Sequence, residues 1–404
     1  MNIWIISKYI SYPKYNNIAP RLFILAKEFN AQGHNARIIT SDSNHLCKFP
    51  ATKKRFNFLK IEGVSYHWIK TLKYKKTHSL LRVLSWFDFE RKLFLMPINQ
   101  MGIPKVIIVS SLSLFSILFG YHLKKKFSAK LVFEIRDIWP LSMIEEGGYS
   151  KYNPLAMLMS FIEKFGYKKA DLIVGTMPRL DEHVKNILGY SKPFHCSPIG
   201  FSFDQYKTKV NNFKSKKLLG LNESSMVIGY AGSMGITNAL DSFIEAIELL
   251  KNNKSIFFVL VGDGDLKDKY HSQLSQCGNV KFFPRLPHSE VHNILNACDV
   301  LFLATKKSTV WDYGQSMNKV VEYMLSGKPI IAQYSGFQSM INEAGCGEFI
   351  LDTDARDLAN TFLKYARKSI KERLEMADRG RTWILRHRKY SLLAREYINA
   401  IKNV

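Results

Sequence analysis

Short apolar runs alternate with longer amphipathic stretches along most of this chain. Residues 3–6, 36–39, 106–109, 131–135 and 172–174 read as buried strands, rich in Val, Ile and Leu. Between them apolar residues recur at helical spacing. Leu22, Leu25, Ala26 and Phe29 follow Pro20, a good first helical residue, and Gly33 ends that helix. The rhythm pauses at residues 194–204, passes through a Lys-rich connector at 206–217, and restarts with strands at 227–230, 257–261, 280–283, 300–303 and 329–332. After Ala355 the chain reads as helical to residue 404, and residues 379–404 are strongly basic.

Strands of this kind, separated by helices, form parallel sheets covered on both faces. The chain has 404 residues, which suits two domains of about 200 residues each. The expected architecture is therefore α/β, with two doubly wound Rossmann-like domains in tandem and a cleft between them. Residues 1–200 make the first domain and 201–375 the second. Residues 376–404 are expected as a basic helical segment packing back towards the first. Ligands of such sheets bind beyond the carboxyl ends of the strands, so the loops that follow strands carry the chemistry.

Charge narrows the partners. The chain has 58 Lys plus Arg against 34 Asp plus Glu, a net charge of +24. That surplus points to a nucleic acid, an anionic membrane surface or a phosphorylated substrate. Five scattered cysteines with no C-x-x-C pair argue against a disulfide framework or a zinc site and for a reducing compartment. The first residues lack the basic start of a signal peptide, and the longest apolar run, 112–121, is half of the roughly 20 residues a membrane span needs. A soluble or peripheral protein in the cytoplasm is expected.

Two loops are candidates for anion chemistry. In GYAGSMGITNALDSF (229–243) a strand runs into Gly232, Ser233 and Gly235, and a helix is expected to open near Thr237 or Asn238. Bare backbone N–H groups at such a turn can face a phosphate. In YGQSMNKVVEYMLSGKPIIA (313–332), Ser316 or Asn318 is expected to cap a helix, with Lys319 and Glu322 in or near its first turn. Lys319 would add a full charge to an anion site, and Glu322 could accept hydrogen bonds from sugar or ribose hydroxyls. A solvated lysine and a glutamate serving the helix dipole would look the same.

These stretches, with VGDGDLK, NVKFFPRLP and ACDVLFLA in order between them, resemble the donor domain of family 4 glycosyltransferases, in the branch acting in bacterial O-antigen and capsule assembly. The residue 7–20 loop, FEIRDIWP (133–140) and KKADLIVGTMPRL (168–180) resemble the same branch, so the likeness spans nearly the whole chain. It implies a GT-B fold, a nucleotide-sugar donor with UDP the first expectation, retention of configuration, and no metal or other cofactor. It also implies a polyprenyl-diphosphate-linked glycan acceptor at the inner face of the cell membrane, and no nucleic acid. Position by position, the turn Gly232, Ser233, Gly235, Asn238 with Asn318 and Lys319 faces the diphosphate, Arg285 and Leu286 lie by the base, and Glu322 holds ribose. Arg136 and Asp137 fall where relatives keep a residue facing the transferred sugar, and Lys319 joins them as a candidate catalytic group. Two departures stand out: the carboxylate that many relatives have eight residues before Glu322 is here Gly314, and residues 234–238 lack the usual Arg and Lys.

Other signals weigh less. Asp263-Gly-Asp265 and Asp352-Thr-Asp354 have metal-like spacing but also suit turns. His67, His195 and His288 read as satisfied structural histidines. Trp86, Phe87, Phe89 and Phe94 among Arg82, Arg91 and Lys92 could form a membrane-facing surface. A nucleotide-sugar 2-epimerase would share the architecture but needs acid and base groups that the sequence does not offer. A basic nucleic-acid binder remains the alternative of another class.

Overall fold

The computed structural model describes residues 1–12, 20–44, 48–74, 79–111, 113–203, 216–221, 225–351 and 354–404, without the side chains of 217, 218, 288 and 289. The chain divides into two compact units, Met1–Ser202 with Tyr390–Val404, and Phe203–Lys389.

The first unit holds strands β1 (Asn2–Ile6), β2 (Asn35–Ser41), β3 (Phe56–Ile61), β4 (Val64–Ile69), β5 (Val106–Ser110), β6 (Lys130–Ile135), β7 (Leu172–Gly175) and β8 (Phe194–Cys196). Among the described residues they pair in the order β3-β4-β2-β1-β5-β6-β7-β8, parallel except for the β3–β4 hairpin. The strands that face a helix on each side are buried throughout, Ile3, Ile5, Ile108 and Val132 among them. Sheet order reverses direction at β1, whose neighbours are β2 and β5, so the ends of β1 and β5 frame the switch point where doubly wound sheets take ligands.

The second unit holds β9 (Met226–Ala231), β10 (Ile256–Val261), β11 (Val280–Phe283), β12 (Val300–Ala304), β13 (Ile330–Gln333) and β14 (Gly347–Ile350). Their order, β11-β10-β9-β12-β13-β14, is the 3-2-1-4-5-6 sequence of a dinucleotide-binding sheet. Its switch point lies between β9 and β12. A core of Phe243, Phe258, Phe302 and Phe362 closes over this sheet, with Phe243 and Phe302 stacked at 4.2 Å.

The structure differs from the sequence expectation in several places. The helix after the glycine turn starts at Asp241; a single 3-10 turn, Ile236–Asn238, comes first, and Ala239 between them is left-handed at φ 42°. Strands β3, β4, β8 and β14 were not anticipated; β3 lies at the sheet edge with Leu59 and Phe58 exposed, so it lacks the continuous apolar signature. The chain returns to the first unit at Tyr390, later than 376, because the helix Ile370–His387 buries Ala377, Gly380 and Ile384 in the second unit, where a side chain on Gly380 would meet Cys346 at 2.6 Å.

From Tyr390 the last helix, Tyr390–Lys402, completes the first core with Leu393, Ala394, Tyr397, Ile398 and Ile401. Glu134 on β6 is fully buried. It takes both Arg21 Nη1 contacts at 3.0 Å, Ser110 Oγ at 2.9 Å and the Tyr397 hydroxyl at 3.2 Å. Arg21 Nη2 also donates to Ser197. A buried carboxylate is tolerated only with such full pairing.

Candidate functional site

At the switch point of the second unit, β9 ends at Tyr230 and Ala231, and the glycine turn follows. The turn lies flat against the loop after β10. Gly232 N–H donates to Val261 O at 3.0 Å, Met234 N–H to Asp263 O at 2.9 Å, and Leu266 N–H to Met234 O at 3.0 Å. A Cβ on Gly264 would sit 2.7 Å from Met234 backbone, and one on Gly262 would collide with Gly232 O. The glycines of GDGDLK therefore let two backbones touch. Asp263 and Asp265 are exposed, and Asp263 accepts its neighbour Gly264's N–H at 3.0 Å. Asp352 lies outside the described residues. Among the described residues no group of three His, Cys, Asp or Glu side chains is arranged to hold a metal.

Lys319 reaches this turn from the helix Asn318–Ser326. Its ammonium donates to the Tyr230 hydroxyl and to Asn238 Oδ1, both at 3.2 Å, and stands 4.3 Å from the Tyr230 ring centroid. The Tyr230 hydroxyl in turn donates to Ser233 O at 2.5 Å. Burial pushes Lys319 down to about 8, against the pull of Glu322, while the residue keeps partial exposure. Gly232 is a glycine because a Cβ there would lie 2.7 Å from the Lys319 nitrogen. So Gly232, Ser233, Asn238 and Lys319 come together.

The helix itself is not capped as expected. Its N-cap is Met317 with no side-chain cap, and Gln315 Oε1 takes the Met317 N–H instead at 3.1 Å. Met317, the N-cap residue, offers no side-chain acceptor to the first N–H groups of the helix, which suits an anion. Glu322 sits just past the first turn, near it as expected, and is half-buried. Tyr323 fixes the helix: its buried hydroxyl bonds Ala231 N at 2.9 Å and Phe302 O at 3.2 Å, tying it to β9 and β12. Neither Tyr230 nor Tyr323 stood out in the sequence, because a tyrosine within an apolar run looks like core.

Arg285 and Leu286 follow β11. Phe283 O accepts the Gly262 N–H at 3.2 Å, which places the end of β11 beside the two touching loops. Arg285 is exposed and makes no ion pair among the described residues. Gly314 has φ 96° and donates its N–H to Trp311 O at 2.9 Å. A glutamate would be strained there.

In the first unit Arg136 and Asp137 follow β6. Arg136 N–H donates to Ser111 Oγ at 2.9 Å and its carbonyl accepts Thr176 Oγ1 at 3.2 Å. Burial raises the Asp137 pKa, and Arg136 partly offsets that, but the two form no ion pair. Nearby, Trp139 meets Trp86 edge-on at 6.1 Å. The Trp86 indole donates to the Tyr9 hydroxyl at 2.6 Å, so this aromatic is buried and does not face outward as expected. Phe89 is buried too, whereas Phe87 and Phe94 are exposed. Arg91 and Lys92 both pair with Asp88. Lys124 pairs with Asp171 at 2.6 Å, while Lys70, Lys73, Lys125 and Lys126 are exposed; Lys75 and Lys76 lie outside the described residues.

His67 and His195 are structural but not satisfied: Nε2 of each is buried without a partner among the described residues. Burial pushes His67 down to about 4. Cys277, Cys298 and Cys346 are buried free thiols, Cys196 is half-buried, and Cys47 lies outside the described residues.

Comparison with known proteins places this geometry. Residues 211–383 match the family described as glycosyl transferases, group 1. The probable glycosyltransferase WbjE of Pseudomonas aeruginosa is 28% identical over 233 residues, 54% of this chain and 55% of WbjE. The match thus spans about half the length of that curated relative. Among solved structures, sucrose-phosphate synthase from Thermosynechococcus elongatus superposes with a TM-score of 0.71 at 15% identity, covering 100% of this chain and 98% of that one. HepE of Anabaena, in complex with UDP and glucose, gives 0.68 at 14% identity with 100% of both chains covered. The two-unit architecture of parallel sheets is the GT-B fold.

Proposed function

We propose that this protein is a retaining glycosyltransferase that moves a sugar from a nucleotide diphosphate, with UDP as the carrier, onto a lipid-linked glycan in bacterial surface polysaccharide synthesis. One observation carries the reading: the Lys319 ammonium is fixed over the glycine turn at the β9–β12 switch point. There it adds charge to the N-terminus of the helix Asn318–Ser326, an arrangement that stabilises a departing diphosphate. The remaining roles are Glu322 for ribose, Arg285 and Leu286 for the base, and Arg136 with Asp137 for the transferred sugar. WbjE and the UDP-bound relative support the donor class.

The same reading puts the protein at an anionic membrane. Leu80, Leu81, Leu84, Phe87 and Phe94 are exposed on the helix Leu80–Phe94, and Met157 and Phe161 on the helix Pro154–Lys169. Lys125 and Lys126 supply positive charge at the end of the helix Ser116–Phe127. Among the described residues no helix is long and apolar enough to cross a membrane.

The test is a thermal-shift series with UDP, GDP, ADP and CDP, followed by transfer from the matching radiolabelled sugar donors to lipid extracts. A ligand that binds only the folded state raises the melting temperature. A flat series with all four nucleotides sinks the donor assignment.

A further inference from the structure

The first unit has its own switch point, between β1 and β5, and charged groups that the donor reading leaves unused are gathered there. Lys8, two residues past β1, has no exposed surface. Its ammonium donates to Ser43 O at 2.8 Å and lies over the rings of Tyr9 and Tyr74 at 5.0 and 5.7 Å. Glu90 reaches the same region from the helix Leu80–Phe94. Its Oε1 accepts Ser116 Oγ at 2.6 Å and Ser113 Oγ at 3.1 Å, both from the segment after β5. Its Oε2 is buried with no hydrogen-bond partner among the described residues. Arg82, one face of that helix along, donates to the Tyr9 hydroxyl at 3.3 Å and is half-buried.

A protein does not bury a lysine and a half-satisfied carboxyl group at a strand terminus for stability, since apolar residues of like volume serve a core as well or better. Here burial pushes Glu90 up to about 8, against the Ser116 and Ser113 bonds and the charge of Lys8. It pushes Lys8 down to about 7, with Asp42 and Glu90 raising it and Lys73 and Arg82 lowering it. Near neutrality the carboxyl is therefore mostly protonated, and Lys8 is part charged. Among the described residues the permanent charges around Lys8 are Arg82, Lys73 and Asp42, with Lys73 paired to Asp42 at 2.7 Å. The balance is positive at a ligand-binding sheet terminus.

We propose that Arg82, with the buried Lys8 and Glu90 acting behind it through their charge, forms a second anion site, in the first unit, which takes the diphosphate of the lipid-linked acceptor. This rests on the glycosyltransferase reading and names where its acceptor is held. Arg82 supplies the standing charge. An arriving anion favours charged Lys8, so binding near pH 7.5 draws a proton from solvent onto its nitrogen. Glu90 in its neutral form adds no repulsion.

The experiment titrates farnesyl diphosphate into the full chain saturated with UDP, by calorimetry at pH 7.5 in two buffers of different ionisation enthalpy. Saturable binding with net proton uptake is expected. Arg82→Gln should weaken it by about tenfold or more, the loss of one charge-assisted contact. Lys8→Met should reduce the proton uptake and Lys8→Met with Glu90→Gln should abolish it, and because Lys8→Met removes a buried charge it should keep the fold. Absence of saturable binding, or binding indifferent to both substitutions, overturns the site. Inorganic pyrophosphate binding as tightly as farnesyl diphosphate overturns its assignment to a lipid-linked acceptor. Repeating the titration without UDP on Lys319→Ala, whose donor site is disabled, keeps the result readable if UDP itself does not bind.

Discussion

The Lys319 ammonium and the Tyr230 hydroxyl, 89 residues apart in sequence, stand 3.2 Å apart at the end of β9. The contact joins the glycine turn to the helix that follows it in space, and it holds the lysine where only a glycine at 232 leaves room. Lys319→Ala should lower kcat/KM for the donor about 10- to 100-fold, the span of one charge-assisted contact. Gly232→Ala should have a similar effect by displacing the same nitrogen. Steady-state kinetics with thermal melts check both; unchanged kinetics for Lys319→Ala removes it from the site.

The pH dependence follows from the sign of one shift. Folded Lys319 titrates near 8, below the usual 10.5, because burial disfavours its charge. The ammonium is present below pH 8 and is lost above it, so UDP affinity should fall between about pH 8 and 10. A terminal phosphate with a second pKa of about 6 is already ionised there and adds no slope. The same shift makes folding less favourable below pH 8 and relieves that cost between 8 and 10.5. Calorimetry at pH 7 and 9.5 tests this, and a slope that survives in Lys319→Ala would assign it to another group.

Glu322→Gln should weaken UDP binding while leaving the melting temperature within a degree or two, since the residue is half-buried and keeps its shape. Equal affinity in the two proteins would end its role with ribose.

How much of this was legible before the structure depends on the kind of signal. The two sheets were legible because β1, β5, β9 and β12 are short, almost wholly apolar runs. Edge strands such as β3 were not, since half-exposed Phe58 and Leu59 carry no such run. Lys319 was legible from its place beside a helix start. Tyr230, Tyr323, Lys8 and Glu90 were not, because each lies in apolar or mixed sequence and gains its partners only through contacts across the sheet. The capping residue was misplaced too: Met317 takes the N-cap position with no side-chain bond, and Gln315 Oε1 accepts the Met317 N–H.

Asp137→Asn separates a sugar-facing role from a structural one. Burial raises the pKa of Asp137, so its charge is a cost to the folded state at neutral pH. The amide should leave the melting temperature unchanged or higher while turnover drops about tenfold or more. Full activity with a lower melting temperature would favour the structural role.

Membrane attachment has its own signature. The protein should sediment with vesicles containing anionic lipid, be released by ~0.5 M salt through screening, and bind neutral vesicles weakly. Reversing Lys125 and Lys126 to Glu should weaken sedimentation, each charge contributing on the order of 1 kcal/mol near the surface. Wild type that ignores anionic vesicles at low salt would leave the +24 charge to another partner.

The Tyr397 bond to Glu134 spans 263 residues. On the ribosome, the unit that begins first is therefore finished last. Until residue 397 emerges, Glu134 must wait with Arg21 and Ser110 beneath a gap the size of a helix, while the second unit already has all its strands. A nascent chain halted after Lys389 should present an intact second unit and an unsealed first one, a natural substrate for chaperones.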